Sequence, residues 1–188
     1  MSIRNLDDRY SPWVIGFHWL TLGLLIVIYA SMELRGLAPK GSEMREAFKS
    51  FHFLLGLCLL LVVVVRVGVR WQSGAAPGIQ PPMPEWQTRL ASLFHYALYA
   101  FLIAMPILGW LVLSAKGEPI ILFGLSVPSL IGPDKALSRQ IKEVHETLAT
   151  VGYFLIGLHA AAALLHHYVV HDNTLVRMLP GRRSSQKP

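Results

Sequence analysis

Four long stretches without Asp, Glu, Lys or Arg divide this chain. They run over residues 10–32, 50–65, 90–115 and 147–171. Roughly 20 apolar residues in a helix cross the hydrocarbon core of a bilayer, and three of the stretches reach that length unaided. The second reaches it if the helix continues past Arg66 to Trp71, with the arginine side chain extending toward the lipid headgroups.

The stretches predict four transmembrane helices in one membrane domain, residues 1–188. A backbone in lipid must satisfy its own hydrogen bonds, which excludes separate open strands. We expect a basic amphipathic tail at 172–188, with a short helix lying on an anionic membrane surface. The predicted fold class is an all-α integral membrane protein, a four-helix bundle with helices at about 10–32, 50–71, 90–115 and 141–171.

The composition agrees with a membrane protein. Of the 188 residues, 53% are hydrophobic and only 15% are charged, whereas soluble domains contain about 25% charged residues. The net charge is +6, and the Lys and Arg residues lie between the apolar stretches without forming a continuous basic stripe. This distribution argues against binding to nucleic acid and favours contact with membrane lipid. The single cysteine, Cys58, excludes a disulfide framework, a cysteine zinc site and a covalently attached c-type haem.

Four spans place both termini on one side of the membrane. That side and the second connector carry nine Lys and Arg residues, and the other two connectors carry eight. Because the positive-inside rule does not separate nine from eight, only the clustered basic tail favours termini in the cytoplasm. The basic residues of the opposite face then need an explanation of their own.

Histidines recur at matched depths in the predicted bundle. His145 and His159 lie 14 residues apart on the fourth helix, which places them within roughly 40° of one face and about 21 Å apart along the axis. His18, on the first helix, lies at the level of His159. His52, on the second helix, lies at the level of His145. The sequence therefore predicts two facing pairs, one near each membrane surface.

Facing imidazoles in a helical bundle commonly hold a haem iron from both sides. We therefore expect His18 with His159, and His52 with His145, to bind one haem each. A satisfied hydrogen bond is the alternative role for any one of them. His95, on the third helix at the level of His18, is a competing ligand, a partner of a propionate or quinone, or a structural residue.

Two other interpretations of the histidines remain open. Histidine also ligates zinc and copper, but two histidines per site without a buried acid make a poor zinc site. Glu146 follows His145 in the sequence, yet neighbouring helix positions face different directions. A structural or transport protein whose histidines only pack would give a colourless preparation.

Several motifs carry a resemblance to a known family. They are FHWL around His18, MELRG at 32–36, FH at 51–52, HETLATVGYFLIGLHAAAALLHHY from 145 and DNTLVRMLP from 172. Over essentially its whole length the chain resembles the bacterial cytochrome b561 family of dihaem membrane proteins, and in particular its superoxide oxidases. The resemblance implies a multi-pass protein of the bacterial inner membrane, cytoplasmic termini and two b haems ligated by His18, His52, His145 and His159.

The resemblance also implies a reaction. Two imidazoles on each iron leave no open position, so we expect one-electron transfer rather than oxygen binding. The expected activity is that of a superoxide:ubiquinone oxidoreductase, which takes electrons from superoxide in the periplasm and passes them to ubiquinone. Other members of the family are cytochrome b subunits that link a partner redox protein to the quinone pool. The lack of evident docking extensions favours the self-contained enzyme, and a redox-protein partner stays open as the alternative.

Candidate substrate residues lie on both sides of the membrane. Arg35 and Lys142 lie near the haem expected at His52 and His145, where they would steer superoxide; contact with haem propionates or lipid headgroups is the alternative.

His166 lies two turns beyond His159 on the same face. There it would hydrogen-bond a ubiquinone carbonyl or supply a proton, and the alternative is a surface histidine. His95 is a second candidate contact for quinone or for a propionate.

Overall fold

The computed structural model describes residues 3–6 and 8–181. Each of its long helices is long and apolar enough to cross a membrane. The all-α membrane bundle expected from the sequence is confirmed. Within the described residues the long helices are α1 Pro12–Leu37, α2 Glu43–Gln72, α3 Glu85–Lys116 and α4 Lys135–Leu165.

Capping residues set the helix starts. The Ser42 hydroxyl oxygen accepts a hydrogen bond from the backbone N–H of Arg45 at the start of α2. The Asp134 carboxylate accepts from the N–H groups of Ala136 and Leu137 at the start of α4. Since such caps satisfy the free donors of the first turn, α2 and α4 begin ahead of the expected starts at residues 50 and 141. Hydropathy marks only the part of a helix that crosses lipid.

The end of α4 is an altered turn. A π-helical turn covers His166–Val170, and His171 has a left-handed φ of 61°. The backbone N–H of Asp172 then donates to the carbonyl oxygen of His166 at 3.1 Å. π-helical turns are rare in proteins, and those that do occur often lie at functional sites. Here the turn brings Asp172 back beside His166.

The C-terminal segment, residues 172–181, binds back onto the bundle. The sequence predicted a short surface helix, whereas the structure contains one 3₁₀ turn, Val176–Met178, because polar groups of the segment bond to distant parts of the chain. Arg182, Arg183 and the rest of the expected tail lie outside the described residues. The bonded partners are Tyr10 with Arg177, Trp19 with Met178, and Gln80 with Asn173.

A β-hairpin between α3 and α4, which the sequence analysis did not predict, lies at the other end of the bundle. Its strands, β1 Ile120–Leu122 and β2 Leu125–Val127, pair antiparallel. Gly124, with φ 82°, allows the tight turn between them. The hairpin packs against Leu57 of α2 and Leu113 of α3. We refer to this end of the bundle as the hairpin side and to the opposite end as the terminus side.

The middle of the bundle is closely packed. α1 packs on α2, α2 on α3 and α3 on α4. Side chains join α1 to α4: the Tyr29 hydroxyl donates to the carbonyl of Ala149 at 2.8 Å, and the Tyr29 ring lies 4.4 Å from that of Tyr153. Gly152 of α4 faces Tyr29 and Phe101, and a Cβ at this position would overlap both. This packed layer separates the two ends of the bundle.

Candidate functional site

The structure brings the four histidines together in the two expected pairs. The ring centroids of His18 and His159 lie 6.1 Å apart on the terminus side. Those of His52 and His145 lie 6.3 Å apart on the hairpin side. We refer to them as the terminus-side pair and the hairpin-side pair. Each pair joins α4 to a helix other than its closely packed neighbour α3.

The separations match two imidazoles that share one metal. A metal–nitrogen bond of about 2.0 Å on each side, with each nitrogen about 1.2 Å from its ring centroid, places the centroids roughly 6.4 Å apart. Both measured distances are close to this value. Direct packing of two neutral rings does not require it.

An unsatisfied polar atom lies at the hairpin-side pair. Nε of Arg35 is buried and has no hydrogen-bond partner among the described residues, and the guanidinium of Arg35 acts electrostatically on His52. Buried polar groups in proteins are normally paired, so unpaired ones mark a place for a further partner. Imidazoles with a guanidinium beside them match a haem with its anionic propionates.

His52 is oriented by the backbone. Its Nδ1 lies 3.3 Å from the carbonyl oxygen of Ile28, to which a protonated Nδ1 donates. A hydrogen bond from one ring nitrogen to a carbonyl fixes the tautomer and leaves the other nitrogen available to a metal. The same contact holds α2 to α1 at this level.

Arg66 turns into the bundle on the terminus side. Its Nη2 lies 3.1 Å from Nδ1 of His18, and its guanidinium lies 5.2 Å from the centroid of the Tyr99 ring. From the sequence we expected the Arg66 side chain to extend toward the lipid headgroups. The structure differs because an imidazole and an aromatic face provide partners within the protein. Neither contact follows from the sequence of α2 alone.

His95 also lies at the terminus-side pair. Its ring centroid is 5.3 Å from that of His159, and its Nδ1 lies 2.6 Å from the carbonyl oxygen of Ala91. The spacing is shorter than that of two imidazoles sharing a metal, whereas the spacing of His18 and His159 agrees with it. The geometry therefore favours His18 as the partner of His159 and leaves His95 as a neighbour at the edge of the site.

His166 is paired with a buried acid. Its Nδ1 lies 2.5 Å from Oδ2 of Asp172, whose side chain has no exposed surface. Burial by itself raises the pKa of Asp172, but hydrogen bonds from the backbone N–H of Thr174 and from His166 outweigh burial and hold the pKa below its ordinary value. The sequence analysis singled out His166 and missed Asp172, because a π turn is not readable from residue spacing.

Arg35 and Lys142, the two candidate residues for superoxide steering on the hairpin side, differ in their surroundings. Arg35 lies in the last turn of α1. Lys142 is ion-paired with Glu146 at 2.7 Å, and both side chains are about half exposed, so its charge is largely compensated. A surface groove at the start of α4, missed by the sequence analysis, is lined by Lys116, Glu118, Lys135, Ser138 and Arg139.

The donor set is unsuited to a bare metal ion. Within the described ranges, no group of three or more His, Cys, Asp or Glu side chains is arranged to hold one. A structural zinc site needs four protein ligands and a catalytic one needs three. Two axial imidazoles are sufficient only when the remaining positions are filled by a macrocycle, as in haem.

Comparisons with known proteins agree with this chemistry. A family model described as prokaryotic cytochrome b561 matches residues 9–181. The chain is 39% identical over 176 residues to cytochrome b561 homolog 1 of Escherichia coli K12, covering 94% of this chain and 99% of that protein. It is 40% identical over 178 residues to the probable superoxide oxidase CybB of Yersinia pestis, covering 95% and 99%. It is 33% identical over 193 residues to cytochrome b561 homolog 2 of E. coli K12, covering 98% of each chain.

Proposed function

The chain belongs to the prokaryotic cytochrome b561 family, and on this premise we propose that it oxidises superoxide and reduces ubiquinone through two b haems. Family membership makes it a multi-pass electron-transfer protein of the inner membrane and implies b-type haem. The observation that carries the proposal is the spacing of the two histidine pairs, 6.1 and 6.3 Å.

His18 and His159 would hold one haem, and His52 and His145 would hold the other. Bound haem supplies one-electron transfer between the ferric and ferrous states. With two imidazoles assigned to each haem, the group would supply electron transfer rather than oxygen binding. On the hairpin side, Nε of Arg35 is available to a propionate.

The hairpin side is proposed to face the periplasm and to receive superoxide. Each superoxide ion gives up one electron and leaves as O₂. A positive potential over a site raises the encounter rate of a small anion. Arg35, Lys135 and Arg139 provide that potential, and Lys116 and Lys142 contribute less because Glu118 and Glu146 compensate their charges.

The terminus side is proposed to face the cytoplasm and to reduce ubiquinone. Ubiquinone takes up two electrons and two protons, so its site needs a polar group that exchanges protons with water. His166 and His95 both lie toward this side and are the proposed contacts. The name of the Yersinia pestis relative, a probable superoxide oxidase, supports the donor.

Haem content and rapid mixing test the proposal together. We expect two b haems per purified chain, reduced within a mixing experiment by enzymatically generated superoxide and reoxidised by added ubiquinone. Haem that ignores superoxide but is reduced by a co-purifying redox protein would favour the cytochrome b subunit instead. A preparation without haem would overturn the proposal.

A further inference from the structure

We propose that the buried carboxylate of Asp172 positions the His166 imidazole, and that His166 passes one proton to the quinone on the terminus side. This inference rests on the proposed function, because it requires a quinone as the electron acceptor. It assigns a role to the His166–Asp172 pair that closes the π turn at the end of α4.

The pair holds His166 in one orientation. Oδ2 of Asp172 lies 2.5 Å from Nδ1 of His166, and Oδ1 accepts from the backbone N–H of Thr174 at 2.8 Å. The backbone N–H of Asp172 also donates to the carbonyl oxygen of His166 at 3.1 Å. Because a carboxylate only accepts, Nδ1 of His166 carries the proton and donates it. Nε2, on the far side of the ring, is left for a substrate or water.

The position of the pair fits a quinone site beside the terminus-side pair. His166 follows His159 by seven residues, which on a helix is within roughly 20° of the same face and about 10 Å nearer the surface. The segment after Asp172 reaches α1, where the indole N–H of Trp19 donates to the carbonyl of Met178 at 2.8 Å. The Trp19 ring lies 5.5 Å from that of His18. The segment that follows the His166–Asp172 pair thus contacts the protein wall beside the terminus-side pair.

The exposure of the two side chains suits proton transfer. The Asp172 side chain is fully buried, whereas 22% of the His166 side chain is exposed. A buried carboxylate behind a partly exposed imidazole stabilises the protonated ring without itself taking part in the exchange. The imidazole keeps access both to a substrate and to water.

The proposed step balances as follows. Two superoxide ions leave as two O₂ molecules and supply two electrons. The Nε2–H bond of the His166 imidazolium breaks as an O–H bond forms at one quinone carbonyl. One proton from the bulk solvent on the terminus side returns through water to the imidazole, and a second bulk proton reaches the other quinone oxygen through water to complete the quinol. Asp172 remains a carboxylate throughout.

The test compares Asp172→Asn, Asp172→Glu and His166→Gln in the haem-loaded protein with a short-chain ubiquinone. We expect Asp172→Asn and His166→Gln to lower kcat for quinone reduction by roughly 10²-fold, with KM for the quinone nearly unchanged. Asp172→Glu, which keeps the charge, should recover part of kcat. Reduction of the haems by superoxide should stay normal in all three variants. His167→Gln, the adjacent histidine, is the matched control and should keep a normal kcat.

Separate readouts keep the inference falsifiable. Normal kcat in Asp172→Asn would overturn it, as would a raised KM at unchanged kcat, which indicates quinone binding rather than proton delivery. If Asp172→Asn does not fold, as judged by haem content, His166→Gln decides the question by the same criteria. A wild-type protein that superoxide reduces but quinone does not reoxidise would overturn the quinone assignment itself, and this failure is visible before any variant is made.

Discussion

The two histidine pairs share α4, which meets α1 at one pair and α2 at the other, and their surroundings differ. The terminus-side pair is surrounded by protein groups: the guanidinium of Arg66 lies beside His18, and the ring of His95 lies against that of His159. At the hairpin-side pair, Nε of Arg35 is buried and lacks a partner among the described residues. One end of the bundle thus holds imidazoles and a buried acid, and the other holds cationic groups beside the histidine pair. A shared scaffold can therefore serve two different substrates.

The largest effect should come from removing one ligand at a time. We expect His145→Ala and His159→Ala each to lower the haem content from two to about one per chain, because an iron with a single axial imidazole is held weakly. Pyridine haemochrome assay per mole of protein measures this. His95→Ala is the matched control and should keep two haems. Loss of haem in His95→Ala but not in His18→Ala would reassign the terminus-side ligand.

The next largest effect should be a loss of thermal stability when the packed layer between the two histidine pairs is overfilled. In Gly152→Ala, the new methyl group would overlap the Tyr29 hydroxyl and the Phe101 ring. Overpacking of this kind costs about 1–3 kcal/mol, so the thermal midpoint of the haem-loaded protein in detergent should fall. Gly157→Ala, on the same helix with no atom within 4 Å of its Cβ, should leave the midpoint nearly unchanged. Equal midpoints in both variants would mean that the layer relaxes and does not separate the sites.

The facing of the histidines was predictable because it follows from helical periodicity. His145 and His159 share a face through their spacing alone, and the antiparallel order of the helices sets the depths of His18 and His52. The structure brings both pairs together, while their role as ligands stays a prediction. The helices themselves were predictable for a similar reason, since an apolar stretch must cross the lipid as a helix.

Contacts between residues distant in sequence were not predictable. The bond from Trp19 to Met178 and the turn of Arg66 toward Tyr99 depend on how whole elements pack. The hairpin at 120–127 is too short to show an alternating pattern, and its stability comes from packing on α2 and α3. The π turn that places Asp172 beside His166 has no sequence signal of its own.

The positive charge of Arg66 should raise the midpoint potential of the terminus-side haem more than that of the hairpin-side haem. We expect Arg66→Gln to lower the midpoint potential of the terminus-side haem by an amount on the order of tens of millivolts, because a positive charge beside the site favours the reduced state. The hairpin-side haem should change much less. Arg89→Gln is the matched control, since Arg89 is highly exposed on the same side and paired with Glu85. A redox titration that shifts both haems equally would contradict a local effect.

Variants at Arg35 and Lys142 should show whether local positive charge speeds the encounter with superoxide. At low ionic strength, Arg35→Gln should slow the reaction with superoxide by roughly 3- to 10-fold. Lys142→Gln should have a smaller effect, because Glu146 already compensates its charge. The rates of both variants should approach that of the wild type at high salt, where exposed charges are screened. A rate that is independent of salt in wild type and variants would rule out steering.

The smallest effect should be the pH-dependent contribution of the Asp172 carboxylate to the stability of the protein. The pKa of Asp172 lies below its ordinary value because hydrogen bonds from Thr174 and His166 outweigh the cost of burial. The carboxylate therefore stabilises the fold above about pH 4, its unfolded value, and this contribution is lost as the pH falls through the lower folded pKa. We expect the thermal midpoint of the wild type to exceed that of Asp172→Asn at pH 7 and the difference to shrink below about pH 4. Asp8→Asn, at an exposed position, is the control. A difference that does not change with pH would show that Asp172 acts through shape rather than charge.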